Sequence, residues 1–156
     1  MTPAVDAAKK RKLKFSVHHY SHDDNTDSYG EEAADKLGVE HQRVFKTLVV
    51  SSTDSVMAVA LIPVSTQLNM KKMAKALGWK KVAMANKNDV IRVTGYVLGG
   101  VSPLGQKKPL KTVIDSSSQQ FATIFVSAGK RGLEIELEPS DLATAVQAAF
   151  ADISND

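Results

Sequence analysis

Apolar and polar residues along this chain follow two rhythms, one of period two and one of period 3.6, and the switches between them predict the elements. Phe15, Val17 and His19 alternate with Ser16, His18 and Tyr20, which predicts a strand carrying His18 and Tyr20 on one face. Residues 44–51 and 55–63 are rich in β-branched side chains and flank a turn at Thr53 and Asp54, the pattern of a hairpin. Shorter runs of the same kind occupy 81–85, 112–115, 123–127 and 133–137, the last two joined around residues 129–132. Thr2 ahead of Pro3 predicts a helix to about Arg11, since the hydroxyl can cap free N–H groups and the proline presets a helical φ. Residues 22–29 read as a polar loop, and Ser28 followed by Glu31 is a capping box opening a helix with Ala33, Ala34 and Leu37 on its apolar face and Gly38 as its stop. Met70, Met73, Ala74 and Leu77 fall at i, i+3, i+4 and i+7 between Asn69 and Gly78, so Lys71, Lys72 and Lys75 point outward. Asn86 with Asp89 predicts a short helix ending before Gly95, and Leu142, Ala145, Val146 and Ala149 behind Pro139 predict a closing one. Residues 95–109 hold four glycines and two prolines and read as an extended loop. Helices interleaved with hairpins predict a mixed α+β domain with mostly antiparallel pairing rather than a doubly wound parallel sheet.

Composition narrows the class. The 156 residues suit one domain over 1–156, and 43% hydrophobic with 24% charged residues is a globular balance. The absence of cysteine excludes disulfide scaffolds, thiolate zinc sites and a protein thiol nucleophile. The longest apolar stretch, 56–64, contains Pro63 and is far shorter than the ~20 residues of a membrane helix. The basic N-terminal stretch lacks the apolar segment of a signal peptide, so a cytoplasmic location is expected. Net charge is only +3, but 15 of the 20 Lys and Arg fall in four clusters at 9–14, 71–81, 107–111 and 130–131. Acid gathers at Asp23, Asp24, Asp27, Glu31, Glu32, Asp35 and Glu40. Such segregation either draws a polyanion to one side or is no more than solvated faces.

Candidate chemistry is sparse. His18 and His22 straddle a strand end, where four residues span ~13 Å, so the histidines do not form a metal set. No serine elbow, phosphate loop or dinucleotide fingerprint occurs. Lys46 is more informative, because alternation puts it on one face with Val44, Leu48 and Val50. There it either snorkels to water or meets an anion or a polarised carbonyl in a pocket. The glycines of 95–105 either make turns or present N–H groups to an oxyanion.

Taken in order, Thr2-Pro3-Ala4, Phe45-Lys46-Thr47-Leu48, Thr94-Gly95-Tyr96, the run from Gly99 to Lys108 (GGVSPLGQKK) and Ser127-Ala128-Gly129-Lys130-Arg131-Gly132-Leu133 resemble the YbaK-type Cys-tRNA(Pro) deacylases. That family is related to the editing domain inserted in bacterial prolyl-tRNA synthetases. The resemblance runs from about residue 2 to about 153, and the 99–108 loop is its most specific part. It implies a mixed, mostly antiparallel curved sheet or barrel flanked by helices. It also implies trans-editing: hydrolysis of the ester joining a mischarged amino acid, chiefly cysteine, to the 3′ adenosine of tRNA(Pro), with no cofactor or metal.

By the same resemblance Lys46 is the essential lysine, and Gly99, Gly100, Val101, Ser102 and Pro103 form the GxxxP loop against the ester or adenosine. Tyr20, Tyr29, Thr47, Ser127 and Glu134 line the pocket. Tyr29 stands where phenylalanine is common, Ala128 where glycine is, and Glu134 where aspartate is, which bears on pocket size. The family's substrate thiol attacks its own ester and leaves as a thiolactone. The implied partners are aminoacyl-tRNA and, transiently, prolyl-tRNA synthetase, with neither membrane nor DNA. Two other readings are a pocket retuned to another residue such as alanine, and a noncatalytic tRNA- or synthetase-binding module.

Overall fold

The fold begins with one hydroxyl serving two ends of the chain. Thr2 Oγ1 accepts the Val5 N–H at 3.1 Å, capping α1 (Pro3–Lys10), and donates to the Ala128 carbonyl at 2.5 Å. The computed structural model describes residues 1–23 and 29–155. After α1 come β1 (Phe15–His19), α2 (Tyr29–Leu37), the hairpin of β2 (Phe45–Ser52) and β3 (Met57–Pro63), the two-residue β4 (Gln67–Leu68) and α3 (Met70–Leu77). Then follow β5 (Val82–Met84), α4 (Lys87–Thr94), β6 (Lys111–Asp115), β7 (Ile124–Lys130), β8 (Leu133–Leu137), α5 (Pro139–Val146), β9 (Ala149–Ala151) and β10 (Ser154–Asn155). The Asn69 side chain caps α3, the Asn86 side chain caps α4, and Gly78 and Gly95 end these helices in the left-handed region, as the pattern predicts. Ser28, predicted to open α2, lies outside the described residues.

Two sheets carry the architecture. β1, β8 and β7 pair antiparallel in that order, while the larger sheet runs β5-β2-β3-β6-β9. In the larger sheet β2 pairs antiparallel with β3 and β5, but β3–β6 and β6–β9 are parallel. Parallel neighbours need crossover connections, and helices α3, α4 and α5 occupy them. The sheets meet where Val44 bridges Phe125 and do not close into a barrel. One apolar core lies between them and is covered by α1 and α5, with Phe45, Leu61, Ile114, Ile135 and Leu142 fully or nearly buried. A second lies under α3, and a third joins Ala33 and Ala34 of α2 to Val44, Val64 and Phe125. Among the described residues no helix is long and apolar enough to cross a membrane.

The C-terminus departs from the pattern. Gln147 turns left-handed (φ +55°), its N–H bonding the carbonyls of Ala143 and Thr144, so α5 stops at Val146. Ala149, predicted on the apolar face of a closing helix, is exposed and pairs with Val113 in edge strand β9. Its i+7 spacing from Leu142 imitates a helical stripe, but the neighbouring β6 offers a free edge that the chain takes instead. The loop over 95–109 holds no helix or strand, as predicted, but it turns inward: Val101, Ser102, Pro103 and Leu104 are buried, and the Tyr96 hydroxyl donates to the Leu104 carbonyl at 2.6 Å.

Candidate functional site

A cavity of about 320 Å³ opens at the start of β2, between the first turn of α2, the loop before Val101, and the ends of β7 and β8. It gathers Tyr20, Tyr29, Lys46, Thr47, Gly99, Val101, Ser127 and Glu134, all singled out in the sequence. Gly100, Ser102 and Pro103 are absent from its wall. Gly100 packs on the backbone of Lys130, Ser102 accepts the Leu104 N–H at 3.2 Å, and Pro103 faces a separate depression beside Ala7 and Val146. The wall also contains Gly30, Glu31, Val44, Phe45, Leu48, Val64 and Leu98. Alternation around Lys46 signals Val44 and Leu48, but nothing local signals Gly30. A Cβ there would stand 2.2 Å from Val64 Cγ1, so the glycine lets α2 approach β3.

Lys46 lies in the β2–β3 ladder opposite Ile62, partly buried. Its Nζ has no carboxylate within 4.0 Å among the described residues, so the lysine is not held in a structural ion pair. Burial lowers its pKa and the nearby Glu31 carboxylate opposes that fall. Lys46 therefore faces the cavity as a cation with spare hydrogen-bond donors.

Glu134 faces it from β8. It is 6% exposed, no described group donates a hydrogen bond to its carboxylate, and burial pushes its pKa up to about 8. Near neutral pH it is largely a carboxylic acid. Its cross-strand partners are His18 on β1 and, on β7, Ser127, whose Oγ accepts the Gly129 N–H at 3.2 Å inside a bulge between Ser127 and Lys130. The bulge needs glycine at 129, where φ is +106° and a Cβ would stand 2.8 Å from the Tyr96 ring. Tyr20, with its phenol pKa raised by burial, and Thr47 complete the polar set. Thr47 Oγ1 is buried without a hydrogen-bond partner. Among the described residues no histidine lines the cavity.

The loop over the cavity is pinned from within. Gly100 N–H donates to the Val97 carbonyl at 3.0 Å and Gln106 Nε2 to the Ser102 carbonyl at 3.0 Å. Because the Gly100 N–H is engaged by Val97, it is not a donor available to an oxyanion. Tyr29 packs on Gly99, and the Arg131 guanidinium lies 4.6 Å from the Tyr29 ring centre while pairing with Glu32 at 3.3 Å. Arg131 also donates to the Asp23 carbonyl. One basic cluster thus docks on the acidic block it was expected to stand apart from; Asp24 and Asp27 lie outside the described residues. His18 bonds Glu136 at 2.9 Å, and among the described residues no group of three or more His, Asp or Glu is placed to hold a metal.

Comparison with known proteins bears on family and fold. Residues 23–145 match the family model of the aminoacyl-tRNA editing domain. EbsC of Enterococcus faecalis, described as a candidate Cys-tRNA(Pro)/Cys-tRNA(Cys) deacylase, is 39% identical over 153 residues, covering 98% of this chain and 93% of its own. A proline–tRNA ligase of Trichlorobacter lovleyi is 31% identical over 99 residues, 64% of this chain and 17% of the ligase. The crystal structure of a candidate trans-editing enzyme for prolyl-tRNA synthetase superposes with a TM-score of 0.87 at 22% identity, covering 99% and 96% of the two chains, which shows the shared fold.

Proposed function

This chain belongs to the aminoacyl-tRNA editing domain family, and on that premise we propose that it is a trans-editing deacylase, one domain over 1–156, that removes cysteine from mischarged tRNA(Pro) in the cytoplasm. The observation that carries the reading is the pairing, in one cavity, of Lys46 and a buried Glu134, neither of which has an ion-pair or hydrogen-bond partner among the described residues, in a wall where no described histidine stands. A site of this kind positions and stabilises charge but does not attack.

Lys46 holds the phosphate or ester oxygens next to the terminal adenosine, while Gly99 and Val101 line the approach of the ester. Glu134 meets the α-ammonium of the amino acid, releasing its proton to solvent as the cation arrives. The Thr47 hydroxyl finds in the substrate the partner it lacks in the protein. The cysteine thiol supplies the nucleophile: its sulfur bonds the ester carbon, the C–O3′ bond breaks, the 3′ oxygen takes the thiol proton, and a thiolactone leaves. No cofactor enters. Prolyl-tRNA synthetase is the transient partner that supplies tRNA identity.

The deciding experiment is deacylation of Cys-, Ala-, Ser- and Pro-tRNA(Pro) by the wild type and Lys46→Ala. Rapid loss of the cysteine ester alone, abolished in the variant, is expected. Equal cleavage of the seryl or alanyl ester would overturn the thiol mechanism. Binding of tRNA without cleavage of any ester would overturn the enzyme assignment.

A further inference from the structure

The loop that overhangs the cavity carries an apolar tip with lysines at both of its roots. Val97 and Leu98 are 62% and 52% exposed, and Tyr29, 37% exposed, stands beside them over Gly99. The tip is not loose: the Gly100 N–H closes a turn onto Val97, and the buried Tyr96 anchors the loop to Leu104. Two adjacent exposed aliphatic side chains, next to Tyr29 at the mouth of a pocket, make a small apolar surface whose meaning depends on what surrounds it.

Charge surrounds this tip. Lys107 and Lys108 donate their backbone N–H groups to the carbonyls of Thr94 and Val93, each at 3.0 Å, which brings them to the start of the loop at Gly95. At its other end the backbone of Lys130 lies so close to Gly100 that a Cβ on Gly100 would stand 2.8 Å from Lys130 Cα. All three lysines are exposed, and none has a carboxylate partner among the described residues. The other basic clusters sit elsewhere. Lys72 of α3 is bound to Asp152 and to the Ser154 carbonyl, and residues 9–14 span the C-terminal end of α1, opposite the end that touches Gly105 through Pro3.

We propose that this surface, Val97 and Leu98 flanked by Lys107, Lys108 and Lys130, seats the unpaired nucleotides that precede the terminal adenosine of the tRNA. The inference rests on the deacylase reading and extends it to the strand outside the cavity. Unpaired nucleotides expose apolar base faces together with closely spaced phosphates, and an apolar tip between lysines matches both. A folded protein partner fits less well, because the apolar area is confined to two side chains and Tyr29.

The test uses acceptor-stem hairpins with and without their four unpaired 3′ nucleotides, uncharged, in fluorescence-anisotropy titrations at several salt concentrations. The wild type should bind the overhanging hairpin at least about tenfold more tightly than the blunt one, a gain that two or three phosphate contacts supply. Combined Lys107→Ala, Lys108→Ala and Lys130→Ala should remove that difference and flatten the log–log salt dependence for the overhanging RNA by about 2. Val97→Ser should reduce the difference without changing the salt slope. Neutralising 9–14 or 71–81 should leave the difference intact. The proposal is overturned if the triple variant keeps the overhang preference, if it loses affinity equally for the blunt hairpin, or if the only change is in binding prolyl-tRNA synthetase. Deacylation is read separately. A wild type that prefers the overhang through these lysines but cleaves no ester would sink the enzyme reading and leave this surface standing, and cleavage without an overhang preference would do the reverse.

Discussion

Glu134 and Glu136 point to the same face of β8, two residues apart, yet their surroundings are opposite. Glu136 accepts hydrogen bonds from the Thr123 hydroxyl at 2.5 Å and from His18 at 2.9 Å, with Arg43 at 3.4 Å, and these contacts hold its pKa below the usual carboxylate value. Glu134 receives no hydrogen bond from any described group, and burial pushes its pKa up to about 8. One end of this face is therefore complete within the protein, while the other is left incomplete where Lys46, Thr47 and Glu134 meet the cavity. Groups satisfied by the fold contribute stability, and groups left unsatisfied in a pocket are available to a ligand.

The sharpest way to break the contrast is at Lys46. Lys46→Ala should lower kcat/KM for Cys-tRNA(Pro) by at least ~100-fold. Its melting temperature should change by no more than a few degrees, because no ion pair is lost. A large loss of stability with retained activity would place Lys46 with the structural end.

Glu134→Gln comes next. The folded protein holds the Glu134 proton more tightly than the unfolded chain, so the unfolded state binds fewer protons between pH 4.5 and about 8, and stability falls as pH rises through that window. The full penalty is on the order of 5 kcal/mol, and it is absent below pH 4.5. Glu134→Gln should therefore raise the melting temperature at pH 9 and change it little at pH 4. A variant equally stabilised at both values would show that the carboxyl is not titrating in this way.

Glu136→Gln should behave in the opposite sense. A depressed folded pKa contributes stability above the normal carboxylate range that disappears as pH falls through the folded value. The substitution should cost about 1–2 kcal/mol at pH 7 and little in strong acid, with kcat/KM unchanged. Denaturant titrations at the two pH values separate it from the Glu134 variant. The smallest effect belongs to Thr47→Val, which removes a buried hydroxyl lacking a partner. Unfolding free energy should rise by up to ~1 kcal/mol while KM worsens, and a marked loss of stability would show that the hydroxyl is satisfied after all.

Much of this site is legible in local pattern. Lys46 stands out as a cation among Val44, Leu48 and Val50, and the caps at Thr2, Asn69 and Asn86 act where their side chains predict. Glu134 does not stand out. In the run Leu133 to Leu137 it alternates with apolar residues just as Glu136 does, so period two makes the two carboxylates equivalent. Their difference arises because Arg43 and Thr123, distant in the chain, reach only one of them. Gly30 and Leu98 are likewise unremarkable until α2 and the loop are packed against β3 and β7, and Ala149 misleads because helical spacing continues past the residue where the chain turns.

What the chain determines by itself is whatever neighbours in sequence can decide: helix caps, strand alternation, the β2–β3 hairpin, the turn around 129–132, and the family motifs around Lys46 and the 99–108 loop. These rest on interactions a few residues long, so the residue types suffice. Tertiary structure alone decides which side chains share the cavity, that β6 and β9 lie parallel to their neighbours, that Arg131 docks on Glu32, and that Lys107, Lys108 and Lys130 bracket one exposed tip. Each depends on groups brought together by packing across tens of residues, and burial, which sets the protonation of Glu134, exists only once the two sheets have met.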